Sequence, residues 1–209
     1  MKIVVVSDTH DQHEALGVLR GDLLIHCGDL GMGYGPSGRE IERLDAWFAR
    51  QRFDAIVCIG GNHDFGLQEQ VAQGRTVFRH AHYLQDQTHV FQGLKLYGSP
   101  WVPELADWAF HAGPAALRHR WSAIPDDTDI LITHTPPRGL LDRNSIGRVC
   151  GCPLLRQRLR SLRLKLHCFG HIHASAGMQA HEGTWYVNAA VVDRSYRVAR
   201  APCEIDLKA

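Results

Sequence analysis

The sequence predicts an α/β fold in which two mixed sheets form a four-layer αββα sandwich flanked by helices. Five short apolar runs, rich in β-branched residues, have the length and composition of buried strands, and helical patterns separate several of them. This alternation is typical of parallel βαβ units that are covered on both faces. Further runs in the middle and at the end of the chain indicate antiparallel ribbons, which add a second sheet.

The predicted strands fall into two sets. The parallel set is KIVVV from Lys2, LLIHC from Leu23, AIVCI from Ala55, DILIT from Asp129 and LKLHCF from Leu164. The antiparallel set is THVFQG from Thr88, LKLYGSP from Leu94, MQAHEG from Met178, TWYVN from Thr184 and CEIDL from Cys203.

The longest predicted helix runs from Arg39 to Arg50 and places apolar side chains on one face. They are Ile41, Leu44 and Phe48. Ser37 with Glu40 matches a capping box at its start, and Asp11 with Glu14 matches a second box that predicts a helix after the first strand.

Composition limits the classes of protein. With 209 residues, 44% of them hydrophobic, the chain is expected to form one domain over residues 1–209. A formal net charge of +1 argues against a nucleic-acid or membrane partner bound by overall charge. The six cysteines form no CxxC pair, and the first apolar run is too short for a signal peptide or a membrane span. A reduced, cytoplasmic location is the expectation.

Polar residues follow each of the five predicted parallel strands. They are Asp8 and His10 in SDTH, Asp29 in GD, Asn62, His63 and Asp64 in GNHD, His134 in THTPP, and His171 and His173 in GHIH. Each alone is equally compatible with a helix cap or a turn. Because the carboxyl ends of parallel strands face one crevice, however, all five ends are expected to meet at a single site.

The chemistry of these side chains indicates metal binding. Carboxylate, imidazole and amide groups without cysteine suit Mn²⁺, Fe or Zn²⁺ better than a structural thiolate zinc. Their number exceeds what one tetrahedral ion needs. The economical arrangement is two ions, about 3.5–4 Å apart, that share a bridging carboxylate.

In chain order these residues spell DxH, GD, GNHD, a single H and GHxH. This order resembles the calcineurin-like metallophosphoesterase superfamily, and the resemblance spans Asp8 to His173. Further stretches are similar to the small metallophosphoesterase-domain-containing (MPPED-type) phosphodiesterases. They are YGSPWVPELADWAF from Tyr97, ITHTPPRGLLDR from Ile132, the GC at Gly151, KLHCFGHIH from Lys165 and YVNAA from Tyr186.

The resemblance implies a role for each of these positions. One metal would be held by Asp8, His10 and His173, the other by Asn62, His134 and His171, with Asp29 bridging the two. His63 would lie beside the phosphate as leaving-group acid or charge stabiliser, and Asp64 would orient its ring.

The resemblance to the MPPED-type phosphodiesterases implies a dinuclear metal-dependent phosphodiesterase that acts on a small substrate such as a cyclic nucleotide or a nucleotide diester. Two divalent ions lower the pKa of a shared water towards about 7 and neutralise the phosphate, and the hydroxide so formed attacks phosphorus in line. The alternatives are a phosphomonoesterase or protein phosphatase on the same site, and a non-catalytic interaction module.

Three other features carry competing interpretations. GYGPSG, Gly33 to Gly38, spells a dinucleotide-binding fingerprint but begins too far after its strand, which favours a loop at the rim of the site. The basic run Arg156 to Lys165 is interpreted as a solvated helix face, with nucleic-acid binding as the alternative. Trp101 and Trp108 either pack beneath a loop or stack on a nucleobase.

Three arginines, Arg138, Arg143 and Arg148, follow His134 and are candidates for contacts with a phosphate or a ribose. His26 precedes the Gly28-Asp29 turn and is interpreted as a support for the metal ligands.

Overall fold

A computed structural model of the chain describes residues 1–33, 39–103 and 105–207. The strands in these ranges are β1 (Lys2–Val6), β2 (Leu23–His26), β3 (Ala55–Cys58), β4 (His82–Tyr83), β5 (Gln87–Phe91), β6 (Leu94–Ser99), β7 (Ile130–Thr133), β8 (Leu166–Phe169), β9 (Gly177–His181), β10 (Thr184–Asn188) and β11 (Cys203–Asp206). The helices are α1 (Arg39–Phe48), α2 (Phe65–Ala72), α3 (Pro114–Ser122) and α4 (Pro153–Leu159), with short 3-10 helices at His13–Leu16 and His173–Ser175.

The strands form two mixed sheets. The first has the order β11-β1-β2-β3-β4 and the second the order β5-β6-β7-β8-β10-β9. Within the first sheet β1 to β4 are parallel, and only the edge strand β11 is antiparallel. In the second sheet β5 and β9 are antiparallel edge strands around four parallel ones. The predicted α/β fold with two mixed sheets is therefore confirmed. The runs LKLYGSP and TWYVN, predicted as antiparallel, pair in parallel on their other side.

The strands are apolar on both faces because each sheet is covered twice. In β1, Ile3 and Val5 belong to the core between the sheets, whereas Val4 and Val6 belong to the outer core with the helices. Strand β7 alternates in the same way. The period-2 geometry of a strand sends successive side chains to opposite faces, so continuous apolar runs are what this arrangement requires.

Helix α1 uses the predicted apolar face. Ile41, Leu44 and Phe48 are buried, together with Trp47. The helix ends at Phe48 rather than Arg50. The capping box that was expected at its start includes Ser37, which lies outside the described residues.

The capping box at Asp11 and Glu14 is wrong. A single 3-10 turn, His13–Leu16, follows β1, and its cap residue Gln12 makes no side-chain hydrogen bond. Asp11 has a positive φ of 64°, which is not the extended backbone of a helix N-cap. Its carboxylate instead accepts hydrogen bonds from the Met32 N–H and the Arg43 guanidinium.

The basic run from Arg156 to Lys165 was interpreted as a helix face, but only its first part lies in α4, which ends at Leu159. Leu155 and Leu159 are buried, whereas the Arg158 guanidinium bonds the carboxylate of Asp126. No helix in the described part of the chain combines the length and the apolar character that a membrane span needs.

His167 lies fully buried in β8. Its Nε2 is 2.9 Å from Thr133 Oγ1, and that hydroxyl donates its own proton to the Thr135 carbonyl. Nε2 therefore carries the imidazole proton, while Nδ1 has no partner among the described residues. Burial lowers the pKa of His167 to about 3, so the ring is neutral at pH 7.

We predict that His167 makes the fold sensitive to acid. The unfolded chain binds a proton on this ring near pH 6.5 and the folded chain only near pH 3, so stability declines as the pH falls from 6.5 towards 3. His167→Leu removes the titrating group and leaves the Thr133–Thr135 hydrogen bond intact. As the pH falls, the unfolding free energy of His167→Leu should therefore decrease less than that of the unsubstituted protein. At pH 5 the difference between the two decreases should be about 2 kcal/mol.

Urea unfolding at pH 7, 6 and 5 with a chelator present measures this difference. His119→Leu on α3 is the matched control, because His119 is exposed, and it should decline in parallel with the unsubstituted protein. Parallel curves for His167→Leu would contradict the prediction.

Candidate metal centre

The two sheets are joined at the edge where the parallel strands end. The Ser7 N–H at the end of β1 donates to the Ala189 carbonyl beyond β10 at 2.9 Å. The His171 N–H lies 3.0 Å from both carboxylate oxygens of Asp8, across 163 residues of sequence. The predicted meeting of strand ends is therefore found in the structure.

The candidate ligands fall into groups whose ligand atoms all lie within 4.8 Å of one another. The groups are Asp8, His10 and His173; Asp29, His134 and His171; and His10, Asp29 and His63. The amide oxygen of Asn62 lies 3.1 Å from His134 Nε2, which adds it to the second group. The structure thus brings together all seven side chains predicted as ligands and His63.

Asp29 lies between the first two groups. Its Oδ2 is 3.6 Å from His10 Nε2 and 3.3 Å from His134 Nε2. Its Oδ1 accepts a hydrogen bond from the His63 N–H at 2.8 Å. A carboxylate in this position has the geometry that a bridging ligand needs.

Backbone carbonyls orient the candidate ligand rings. The Nδ1 atoms of His10, His134 and His173 lie 3.3, 2.8 and 3.3 Å from the carbonyls of Gly31, Cys27 and Asp193. A ring that donates from Nδ1 presents the lone pair of Nε2, as metal-binding histidines do.

His10 Nε2 shows that the site fits a cation. It is buried without a hydrogen-bond partner in the described part of the chain, and such an atom is costly unless a ligand satisfies it. Together with the carboxylates it makes an oxygen and nitrogen donor set suited to divalent Mn, Fe or Zn.

The charges of the site are coupled. Burial opposes ionisation of Asp29, but the neighbouring His134 outweighs it and holds the pKa of this carboxyl well below its usual range. In turn, Asp29 outweighs the effect of burial on His134 and raises the pKa of that ring to about 9. Burial lowers the pKa of His10, and it lowers that of His171 to about 4, so these two rings are neutral at pH 7. Cation binding to Asp29 would therefore displace a proton from His134.

Four of the candidate ligands have left-handed backbone. Asp8, His10, Asp29 and His171 have φ values of 55°, 42°, 53° and 68°. Such conformations are uncommon outside glycine and concentrate at functional sites. Hydrogen bonds from the Asp8 N–H to the Gly28 carbonyl and from the His10 N–H to the Asp29 carbonyl hold them.

Glycines let the strand ends approach each other. A Cβ on Gly61 would lie 2.4 Å from both the backbone nitrogen and Oδ1 of Asp29, and 2.7 Å from Cε1 of His134. A Cβ on Gly170 would lie 2.0 Å from Asp8 Oδ2. The glycines of the GN and GH pairs are therefore part of the site, although they supply no ligand.

Asp64 does not have the predicted contact. Its Oδ1 accepts hydrogen bonds from the N–H groups of Leu30 and Gly31, and its Oδ2 from that of Gly61. Among the described residues neither oxygen bonds the ring of His63, whose Nδ1 instead lies 3.4 Å from the Met32 carbonyl. The prediction that Asp64 orients this ring is wrong, because backbone N–H groups of the loop after β2 and of its own loop after β3 take up its carboxylate.

His26 supports the turn that carries Asp29. Its Nδ1 accepts from the Gly28 N–H at 3.3 Å, and its Nε2 lies 3.0 Å from Thr9 Oγ1. This buried ring therefore ties the loop after β1 to the loop after β2.

The two tryptophans differ in position. Trp101 is buried beneath the Arg120 guanidinium and donates from Nε1 to Asp86, so it has a packing role. Trp108 is half-buried, and its ring centroid lies 4.5 Å from that of His63. Glu104, between them, lies outside the described residues.

Sequence interpretation missed Tyr196. Its ring centroid is 4.7 Å from that of His10 and 5.9 Å from that of His173. The residue follows no strand directly and has no periodic neighbours, so its sequence carries no signal of this position.

The remaining candidates are only partly placed. Arg138, Arg143 and Arg148 are exposed, and Arg143 Nη1 donates to the Gly147 carbonyl of its own loop. Their contact with substrate stays a prediction. GYGPSG lies outside the described residues except for Gly33.

We predict that Gly61→Ala disrupts the metal centre without removing a ligand. Its Cβ would force apart Asp29 and His134, which rigid strand ends hold, so bound metal should fall several-fold after reconstitution with Mn²⁺. Elemental analysis and thermal unfolding measure the effect. Gly113→Ala is the matched control, because a Cβ there meets nothing within 4 Å. Full metal content in Gly61→Ala would contradict the prediction.

Comparisons with known proteins agree with this geometry. The model of the family described as calcineurin-like phosphoesterase matches residues 1–175. The chain is 33% identical over 235 residues to Metallophosphoesterase domain-containing protein 1 of Homo sapiens, which covers 99% of this chain and 71% of that protein. It is 32% identical over 229 residues to UPF0046 protein C25E10.12 of Caenorhabditis elegans, covering 99% of this chain and 81% of that protein.

Solved structures share the fold. TT1561 of Thermus thermophilus superposes with a TM-score of 0.62 at 15% identity, over 90% of this chain and 88% of that chain. The Phosphopantetheinyl Hydrolase (PptH) from Mycobacterium tuberculosis superposes with a TM-score of 0.59 at 16% identity, over 93% and 90%. The family match, the identity to the curated relatives and the paired ligand groups lead to one conclusion. The chain belongs to the calcineurin-like phosphoesterase family of metal-dependent phosphoester hydrolases.

Proposed function

We propose that the protein is a phosphodiesterase that hydrolyses a small phosphodiester, such as a cyclic nucleotide or a nucleotide diester, with two divalent metal ions. Mn²⁺, an Fe/Mn pair or Zn²⁺ suits the donor set. The observation that carries the proposal is that Asp29 lies within reach of both His10 of one ligand group and His134 of the other, with His63 beside it. The preference for a diester rests on the resemblance of the sequence to the MPPED-type phosphodiesterases.

The ligand groups support the following assignment of residues to the two metals. Asp8, His10 and His173 would hold one ion, and Asn62, His134 and His171 the other, with Asp29 between them. Bound there, two divalent ions supply a nucleophile at neutral pH and neutralise the charge of the phosphate. The carbonyls behind His10, His134 and His173 keep the lone pairs of these rings directed at the ions.

In this proposal His63 protonates the leaving group. Its backbone N–H is fixed by Asp29 Oδ1, and the Nδ1 side of its ring faces the Met32 carbonyl. Nε2 is therefore available for a proton that moves to the departing oxygen. The side chain is 8% exposed, which leaves it within reach of a bound phosphoester.

We predict that His63→Ala keeps both metals but loses about 10²–10⁴-fold in kcat, the usual contribution of a general acid. Asn62→Ala is the matched comparison, because it removes a candidate ligand from the adjacent position and should lower metal content. Elemental analysis and initial rates on one preparation separate the two effects. Undiminished turnover in His63→Ala would disprove the acid role, and full metal content in Asn62→Ala would disprove the ligand role.

Other activities of the same site are distinguished by substrate. A phosphomonoesterase or protein phosphatase would prefer 4-nitrophenyl phosphate, whereas a phosphodiesterase prefers bis(4-nitrophenyl) phosphate. With added Mn²⁺ we predict a larger kcat/KM for the diester. A larger value for the monoester would refute the diester proposal while leaving the metal centre intact.

A non-catalytic interaction module is the alternative from another class. Such a module has no need of a full ligand set, yet all seven candidate ligands and His63 meet in this structure. Protein that contains both metals but hydrolyses neither ester would favour the module.

A further inference from the structure

Two aromatic side chains flank His63. The Trp108 ring centroid lies 4.5 Å from that of His63 on one side, and the Tyr196 centroid lies 6.1 Å from it. Tyr196 also meets the ring of His10 edge to face at 4.7 Å. The two residues come from distant parts of the chain, and neither supplies a metal ligand in the proposed mechanism.

The backbone around Tyr196 holds its ring at this place. Asp193 Oδ1 accepts hydrogen bonds from the N–H groups of Ser195 and Arg197, at 2.8 and 3.1 Å. The Tyr196 N–H donates to the Asp193 carbonyl at 3.1 Å, and the same carbonyl lies 3.3 Å from Nδ1 of His173. One residue, Asp193, thus both positions a candidate metal ligand and anchors the turn that carries Tyr196.

Tyr196 has an unusual conformation for a bulky residue. Its φ is 56°, in the left-handed region where most side chains are disfavoured. Backbone strain of this kind persists only where the surrounding structure enforces it, and it is frequent at functional sites.

Aromatic residues beside the site are more exposed than those of the core beneath the helices. Tyr196 is 37% exposed and Phe65, whose ring lies 6.1 Å from Trp108, is 41% exposed, whereas Trp47 and Trp121 are almost fully buried. Aromatic surface that remains open beside a phosphoester site is available for contact with the substrate.

We infer that Tyr196 and Trp108 are specificity residues that contact a planar aromatic group of the substrate, such as a nucleobase, and so favour nucleoside diesters over alkyl diesters. This inference rests on the proposed phosphodiesterase function. Stacking of a base on an aromatic side chain is sequence-tolerant, and its usual strength corresponds to about tenfold or more in affinity.

The test compares two diesters with the same leaving group, thymidine 5′-(4-nitrophenyl) phosphate and methyl 4-nitrophenyl phosphate. The Mn²⁺-loaded protein should favour the nucleoside diester by about tenfold or more in kcat/KM. Tyr196→Asn removes the ring and tolerates the left-handed backbone, so it should lower this ratio several-fold, as should Trp108→Leu. Tyr196→Phe keeps the ring and should keep the ratio.

Trp185→Ala is the matched control. Trp185 is an exposed aromatic near the other end of β10 from the site, and its removal should leave the ratio unchanged. If the rings only buttress His10 and His63, the variants will slow both substrates equally at a constant ratio. That result overturns the inference, and so does an unsubstituted protein that shows no preference.

A binding measurement separates this inference from the proposed function. Calorimetry of AMP and of methyl phosphate with the Mn²⁺-loaded protein should show tighter binding of AMP, by about tenfold, and Tyr196→Asn should reduce that difference. If neither diester is hydrolysed, the phosphodiesterase proposal fails and the binding ratio still decides the role of the rings. Equal binding of AMP and methyl phosphate would overturn that role.

Discussion

The buried carboxylate of Asp29 is the constraint on which the rest of this site depends. A carboxylate removed from water costs several kcal/mol unless it is paired and hydrogen-bonded. Here the His63 N–H, the His134 ring and the His10 ring surround it. These partners follow three different strands, which belong to both sheets. The charge is therefore stabilised only when the two sheets pack with these strand ends together. The same position makes the carboxylate common to both candidate metal sites.

Close approach of the strand ends is the second requirement, and glycine provides it. Gly61 and Gly170 stand where any Cβ would overlap Asp29 or Asp8. The ligand residues themselves carry the strain, in left-handed backbone at Asp8 and Asp29. Backbone hydrogen bonds between the loops offset that strain. The metal-binding geometry is therefore a property of the main chain as much as of the ligand side chains.

Asp64 and His63, adjacent residues of the GNHD stretch, have different contacts in the site. Its carboxylate joins the loop after β2 to the loop after β3, because it accepts hydrogen bonds from the N–H groups of Leu30, Gly31 and Gly61. His63, one residue earlier, is held by its own N–H on Asp29 and by aromatic neighbours. Asp64 thus acts on the position of Asp29 through the backbone, whereas His63 is the residue that we propose as the leaving-group acid. Neighbouring residues in the sequence serve different parts of the site because the backbone turns between them.

The sequence by itself determined the strands, the fold class and the set of side chains that meet. Apolar runs specify buried strands because side-chain burial follows a local period, and residues that follow such strands are carried to one edge by the geometry of parallel sheets. Tertiary structure alone decided the backbone hydrogen bonds that hold the ligand loops together, the partners of Asp64 and the place of Tyr196. Each depends on contacts between loops that are distant in sequence, and loops have no periodicity from which such contacts can be read. The capping box at Asp11 failed for the same reason, since a backbone N–H and a guanidinium from elsewhere in the chain took up its carboxylate.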